Sequence, residues 1–360
     1  MCREIQLGVA SAGLALQQAG VDLGAIDHER LGVEFGANLM LSAPDILEKS
    51  CAACCEPLGS THFDDSKWGK AGLEGMEPLW LLRYLPNMPA CHVTIIHGTE
   101  GPSNTLLNAE ASGLLSIGES MRVIERGDAD ACLSGGAEAR LHPMGVLRQI
   151  FAKRLAPTPA GCDVASLVRP FDPKATGGLL GEGGGILVLE ALDSATRRGA
   201  KPIAEIAGYA AAQCFCPDTV GAIVNETGEE IAAAAANAIE QAGIAPDAID
   251  AIVPFGSSVA ALDAAEGAAI RTVFGAKASS IPFVQVMPFV GNCGAGCGAL
   301  AVAIAAQCLR TQTLPARINT AGSPFDANAA PSRPASLKHV LVMTTSLGGQ
   351  TAAIVLRAVA

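Results

Sequence analysis

Aromatic side chains and charge are both scarce in this sequence. Aromatics make up 4% of the residues and charged side chains 16%. The core must therefore be built from aliphatic and small side chains. Basic character is scarcer still: Lys and Arg number 24 against 35 Asp and Glu, a formal net charge of −11. No basic tract interleaved with aromatics occurs, so nucleic acid is not an expected partner. No apolar run approaches the roughly 18 residues of a membrane span, and none is expected. Residues 5–19 are apolar but carry Gln and Ser at helical spacing behind Glu4. That is the pattern of a helix, not of a secretory leader. Twelve cysteines are present, but they are scattered, and no second CxxC pair completes a ligand set. A disulfide framework is not expected, and the compartment reads as a reducing cytoplasm. The densest group, Cys51, Cys54 and Cys55 with His62 downstream, reads as a helix end and loop rather than a metal site. No metal or cofactor is expected.

What is present is apolar and small. Half the residues are hydrophobic and 40 are glycine, which suits tightly packed α/β layers around a large core. The chain also contains a repeat. Residues 14–37 and 237–257 both hold a helix ending at QAG, a linker ending in Ala-Ile-Asp, and a strand ending in Phe-Gly. Gly20 and Gly243 fall where a helix turns left-handed at its end. A shared helix–turn–strand order at distant places points to a duplicated α/β unit. Strands are expected over Val93–Ile96, Asn104–Leu107, Ala129–Ser134, Gly185–Leu189, Ile203–Tyr209, Ala251–Phe255, His339–Thr345 and Thr351–Val355. Helices are expected over 5–19, 113–126, 229–242, 262–274 and 297–310. The alternation predicts largely parallel sheets. Residues 38–91 and 140–180 read as Pro- and Gly-rich insertions, and 320–336 as a turn-rich connector.

The chemistry gathers at residues 101–120, GPSNTLLNAEASGLLSIGES. A strand ends at Asn108, an elbow of small residues follows, and a helix starts near Ser112. Such an elbow presents one side chain at the positive end of a helix. That side chain is Glu110. As a nucleophile it would form a mixed anhydride. As a general base it would need a raised pKa, which a helix N-terminus opposes. As a structural residue it would accept N–H groups of the helix start.

Several segments in collinear order resemble the β-ketoacyl synthases of the thiolase superfamily. They are RGDADACLSGGAEA at 126–139, RPFDPKATGGLLGEGGGILVLE at 169–190 with Glu182, RRGAKPIAEIAGYA at 197–210, and SLGGQTAA at 346–353. The resemblance implies a five-layer αβαβα fold in two duplicated halves, 1–200 and 201–360. Family members carry a further strand before the helix that begins here, so the first half-sheet is expected to be one strand short or the true start to lie upstream. The family's cysteine, which takes the acyl group as a thioester, falls on Glu110. Its first histidine falls on Phe255, its lysine near Met287, and its second histidine on Asn292. None of the four is retained. His97, in an HGT triplet, precedes the elbow and reads as a loop residue. Cys293 and Cys297 flank a glycine-rich helix entry and read as packing. Leu347 takes the place of a gating Phe. With Phe255, Met287, Gly348 and Gly349 it is expected to line a remodelled acyl pocket.

The resemblance therefore implies an acyltransferase family in fatty acid or polyketide biosynthesis, and a member from which condensation alone is not expected. The leading expectation is a chain-length-factor-like subunit that dimerises with an active ketosynthase and shapes its acyl tunnel. Acyl carrier protein is the expected substrate carrier. The dimer is expected along Ala129–Ser134, and Arg140, Arg148, Lys153 and Arg154 are expected as a basic patch for the acidic carrier. The alternatives are an acyl-thioester decarboxylase, hydrolase or acyltransferase using Glu110 with Asn292 as a polar anchor, and an acyl-binding homodimeric scaffold.

Overall fold

A computed structural model describes the chain apart from residues 41, 43, 58, 215–224, 327–330, 347 and 360. Through the first half the order is α1 (Arg3–Ala19), β1 (Leu31–Ala37), α2 (Pro44–Ala53), α3 (Met88–His97), β2 (Ser103–Leu107), α4 (Ser112–Glu125), β3 (Ala131–Ala139), α5 (Pro143–Phe151), β4 (Glu182–Glu190) and α6 (Leu192–Arg197). The second half holds β5 (Ala204–Gln213), α7 (Glu229–Gln241), β6 (Ala251–Val253), α8 (Ala260–Phe274), α9 (Met287–Val290), α10 (Cys297–Thr311), a short pair β7 (Thr313–Leu314) and β8 (Arg333–Pro334), then β9 (His339–Thr345) and β10 (Gln350–Ala358).

Two four-stranded sheets carry the fold, in the orders β2-β1-β3-β4 and β5-β10-β9-β6. Helices α4 and α10 pack against each other and lie between the sheets. Helices α1 and α3 cover the outside of the first sheet, and α7, with α8 packed beside it in the same core cluster, that of the second. This is the five-layer αβαβα arrangement. The central helices explain the shortage of aromatics. Helix α10, CGALAVAIAAQCLRT, is apolar and small almost all round, as a helix between two sheets must be. Helix α4 is equally fine-grained: a Cβ on Gly113 would stand 2.6 Å from the Ala295 carbonyl oxygen. Larger side chains would force the helices apart and open the elbow. The expected repeat is seen too. Gly20 and Gly243 both adopt positive φ, 62° and 68°. Each follows an outer helix that leads into a strand of its own sheet.

Five expectations need correction. The sheets are mixed, not largely parallel. β1 runs parallel to β2 and β3, and β6 to β9, but β3–β4, β10–β5 and β10–β9 are antiparallel. Val93–Ile96 lies inside helix α3, which has Pro89 in its first turn and Gly98 closing it in the left-handed region. A short apolar run has no periodicity of its own, and those end signals decide it. Residues 38–91 are not all loop, since α2 and the start of α3 lie there. β3, expected at a dimer edge, is interior and pairs on both sides, with β1 and β4. Among the described residues the edge beside the elbow is β2. Finally, Gly294–Thr311 is long and apolar enough for a span, with mean hydropathy 1.2. Its placement as the inter-sheet helix accounts for that composition.

Candidate active site

The elbow forms as the sequence suggests. β2 ends at Leu107, a single 3-10 turn covers Ala109–Ala111, and α4 begins at Ser112. The sharp reversal is taken up by Ala109, a non-glycine residue at φ 50°. Ser112 fixes the turn from inside, accepting the Asn108 N–H at 2.7 Å and donating to the Ala37 carbonyl at 2.9 Å. Glu110 is thereby driven inward and is 0% exposed.

Its carboxylate does not cap α4. It accepts from side chains instead. Arg154 Nη1 donates to Glu110 Oε1 at 2.8 Å, Arg140 Nη1 at 3.2 Å and Asn292 Nδ2 at 3.3 Å. Both arginines are themselves buried, 8% and 7% exposed. Arg140 is held in turn by Glu138, through Nη2 at 2.9 Å and through Nε. Glu138 also receives the Ala295 N–H at 2.7 Å, at the entry to α10. Two carboxylates and two guanidinium groups thus form a charge-balanced network, in which Glu110 Oε2 and Arg154 Nε and Nη2 have no hydrogen-bond partner among the described residues. Burial pushes the Glu110 carboxyl up, but Arg154 and Arg140 outweigh it and hold the pKa down at about 2. Burial lowers Arg140 as well, yet Glu138 and Glu110 raise it overall. Arg154 is lowered by burial in spite of Glu110.

The expected partners of Glu110 do converge here. Asn292 bridges the halves, with its amide oxygen accepting the Gly294 N–H at 2.8 Å while its nitrogen reaches Glu110. Phe255 and Met287 pack with Val168, Cys293 and Cys297 in one small apolar cluster. Above it, between Phe255, Asn292, Arg154 and Ser257, the remaining hollow measures about 10 Å³, room for about one water. The strand ends flanking Gly348 and Gly349 touch the elbow turn. Leu347 lies outside the described residues. His97 ends helix α3 rather than lying in a loop, and burial lowers its pKa. Burial raises the Cys293 thiol to about 11 and Cys297 well above its ordinary value, so neither is a ready thiolate.

In the second half two buried carboxylates, Glu266 and Asp263, lie behind the turn at Phe255. The Phe255 and Gly256 N–H groups donate to Glu266 at 2.7 and 2.9 Å. Asp263 accepts from Phe171 N, Ser258 N and Ser257 Oγ. Among the described residues no cation is hydrogen-bonded to either, and burial raises Glu266 to about 8 and Asp263 to about 6.

Sequence reading missed the roles of Arg140 and Arg154. It placed them on a carrier-binding surface, where only Arg148 and Lys153 are in fact exposed. A signal was available: Glu138 is the one charge in strand β3 and Arg140 follows at its end, and a carboxylate buried at an elbow needs cations.

The fold and the sequence agree with known proteins. The β-ketoacyl synthase N-terminal domain matches residues 1–195 and its C-terminal domain residues 203–321. A sequence named as a polyketide beta-ketoacyl synthase of Streptomyces cyaneus is 29% identical over 98% of this chain and 81% of its own. The 3-oxoacyl-acyl-carrier-protein synthase 2 of Staphylococcus aureus is 27% identical over 99% of this chain and 84% of its own. Among solved structures, the ishigamide ketosynthase/chain length factor superposes with a TM-score of 0.82 at 25% identity, covering 100% of this chain and 83% of that one. A ketosynthase in complex with its type II PKS acyl-carrier protein gives a TM-score of 0.88 at 24% identity, over 99% and 85%. With both domains matched in order, and with the layered fold built around the elbow, this chain belongs to the β-ketoacyl synthase family.

Proposed function

We propose that this chain is a non-condensing ketosynthase-like subunit of fatty acid or polyketide biosynthesis, acting as a chain-length-factor-like partner of an active ketosynthase in the cytoplasm. Its halves are 1–200 and 201–360. One observation carries the reading: the nucleophile position holds a carboxylate locked in its ionised form by two buried arginines. A carboxylate with a pKa near 2 is a feeble base and a poor acyl carrier. That speaks against the reading in which Glu110 is a decarboxylase or hydrolase base. The hollow beside Phe255 and Asn292 has no room for an acyl chain, so in this reading Phe255, Met287, Gly348 and Gly349 form a plugged wall rather than a pocket.

The partner contributes Cys-His-His. Dimerisation runs along the free edge of β2, where Ser103 and Asn104 are exposed and Leu107 is half-exposed. Similarity to the ishigamide ketosynthase/chain length factor supports this pairing. Arg148 and Lys153, exposed at the foot of α5 beside its apolar face, suit an acidic acyl carrier protein.

The test is reconstitution. Purified alone and given malonyl and acyl thioesters on carrier protein, the chain yields no condensation and no decarboxylation. Combined with a cysteine-bearing ketosynthase from its own host, it forms a stable complex and changes product length. Turnover by the chain alone that disappears in Glu110→Gln would overturn the reading. So would failure to associate with that synthase. Glu110→Cys alone remains inert, because Phe255, Met287 and Asn292 still replace the other groups.

A further inference from the structure

Glu110 does more than fill a vacated position. Arg140 and Arg154, which meet on its Oε1, stand at the two ends of a single segment. Arg140 follows the last residue of β3, and Arg154 lies three residues after the end of α5. Between them, α5 has little else to hold it. Of its nine residues only Gly145 and Gln149 are buried. Its outward side is apolar: Leu141, Met144, Leu147, Ile150 and Phe151 are 55%, 44%, 42%, 53% and 72% exposed. An open depression of about 490 Å³ runs along it. The segment's internal bonds are local. His142 accepts the Gly145 N–H at the helix start, and Arg154 N donates to the Gln149 carbonyl at the end. Local bonds of this kind do not fix where a short helix stands.

We propose that Glu110 is a positioning residue, a clasp that draws Arg140 and Arg154 together and so fixes the placement of α5 on the protein. The carboxylate sits fully buried at the elbow between the sheets. Both feet of the segment reach inward to it. Glu138 stiffens the first foot through Arg140, and the Gly178–Arg154 backbone bond at 2.8 Å steadies the second. The family's nucleophile position thereby becomes the origin from which an exposed apolar helix is placed. The clasp stands independently of what α5 binds. Only the use of that face for a carrier protein rests on the proposed function.

Hydrogen exchange on the full chain tests it. In Glu110→Ala the amides of Val146, Ala152, Lys153 and Arg154 exchange about 10-fold faster or more, while those of β3 and α10 keep their protection. Formate, which fits the space left between the two guanidinium groups, restores protection in Glu110→Ala. In Glu110→Gln the space stays filled: α5 loosens and formate does nothing. Should Glu110→Ala fail to fold, the local loosening in Glu110→Gln carries the test. Unchanged α5 exchange overturns the clasp. Equal loosening of β3, α10 and α5, or no response of a folded Glu110→Ala to formate, overturns it as well. Neither result depends on association with a ketosynthase, so the clasp and the subunit reading fail separately.

Discussion

Two buried carboxylates, Glu110 in the first half and Glu266 in the second, behave oppositely. Glu110 at the elbow is met by Arg154, Arg140 and an amide, and its pKa falls to about 2. Glu266 behind the Phe255 turn is met by two backbone N–H groups, with Asp263 as a nearby like charge, and its pKa rises to about 8. Burial is complete in both cases. What separates them is the cation, since neutral donors of ordinary length do not offset full desolvation and two guanidinium groups do. Glu110 thus holds a charge and Glu266 a proton. The elbow network is a lock that functions at any physiological pH, whereas the Phe255 turn rests on a group close to titration.

The most severe way to break this contrast is Glu110→Ala. It leaves Arg140 and Arg154 buried without their shared carboxylate, and the expected loss is about 3–5 kcal/mol of stability in urea unfolding. Glu266→Gln at pH 7 removes no charge partner and keeps two acceptor geometries in part. Its expected cost is below about 1.5 kcal/mol. Equal losses in the two variants would remove the distinction.

The next effect is pH. The folded pKa of Glu266 lies above its ordinary value of 4.5. Its contribution is therefore fully present below pH 4.5 and is lost as pH rises through about 8, by up to about 1.4 kcal/mol per pH unit in between. Asp263 acts in the same direction between 3.8 and about 6. Glu110 has the reverse sign: its contribution is present above pH 4.5 and is lost as pH falls through about 2. Unfolding midpoints measured from pH 5 to 8 should decline in the parent chain and decline less in Glu266→Gln. Parallel slopes would show that Glu266 is not the group being titrated.

How much of this could be read from sequence varies by element. The elbow, the repeat and the central helices were legible, because Gly20, Gly243 and the spacing around Glu110 are local signals. The convergence of Glu110, Phe255, Met287 and Asn292 was legible only through the family pattern. Val93–Ile96 was misread because a four-residue apolar run fits either period, and Pro89 and Gly98 were the deciding marks. Arg140 and Arg154 were misread for a different reason. A positive side chain looks like surface until its anion is located, and Glu110 is 30 and 44 residues away in the chain. Which strand forms the sheet edge was likewise hidden, since pairing order is a non-local property.

The smallest effect that still separates the two regions is expected at Asn292. Its side chain serves both ends of a short path, donating to Glu110 at 3.3 Å and accepting the Gly294 N–H at 2.8 Å. Asn292→Ala removes one neutral donor from a carboxylate that keeps two arginines, so Glu110 stays ionised. It also strips the acceptor from Gly294 N–H. The expected cost is about 1–2 kcal/mol, less than for Glu110→Ala. Asn292→Asp separates the two functions. It keeps the acceptor for Gly294 but places a second carboxylate beside Glu110, and the repulsion should make it the less stable variant near neutral pH. Lowering the pH to about 4 should narrow the gap as the new carboxyl takes up a proton. If Asn292→Asp equals or exceeds Asn292→Ala in stability at pH 7, the contact with Glu110 contributes nothing, and the elbow lock is made by the arginines alone.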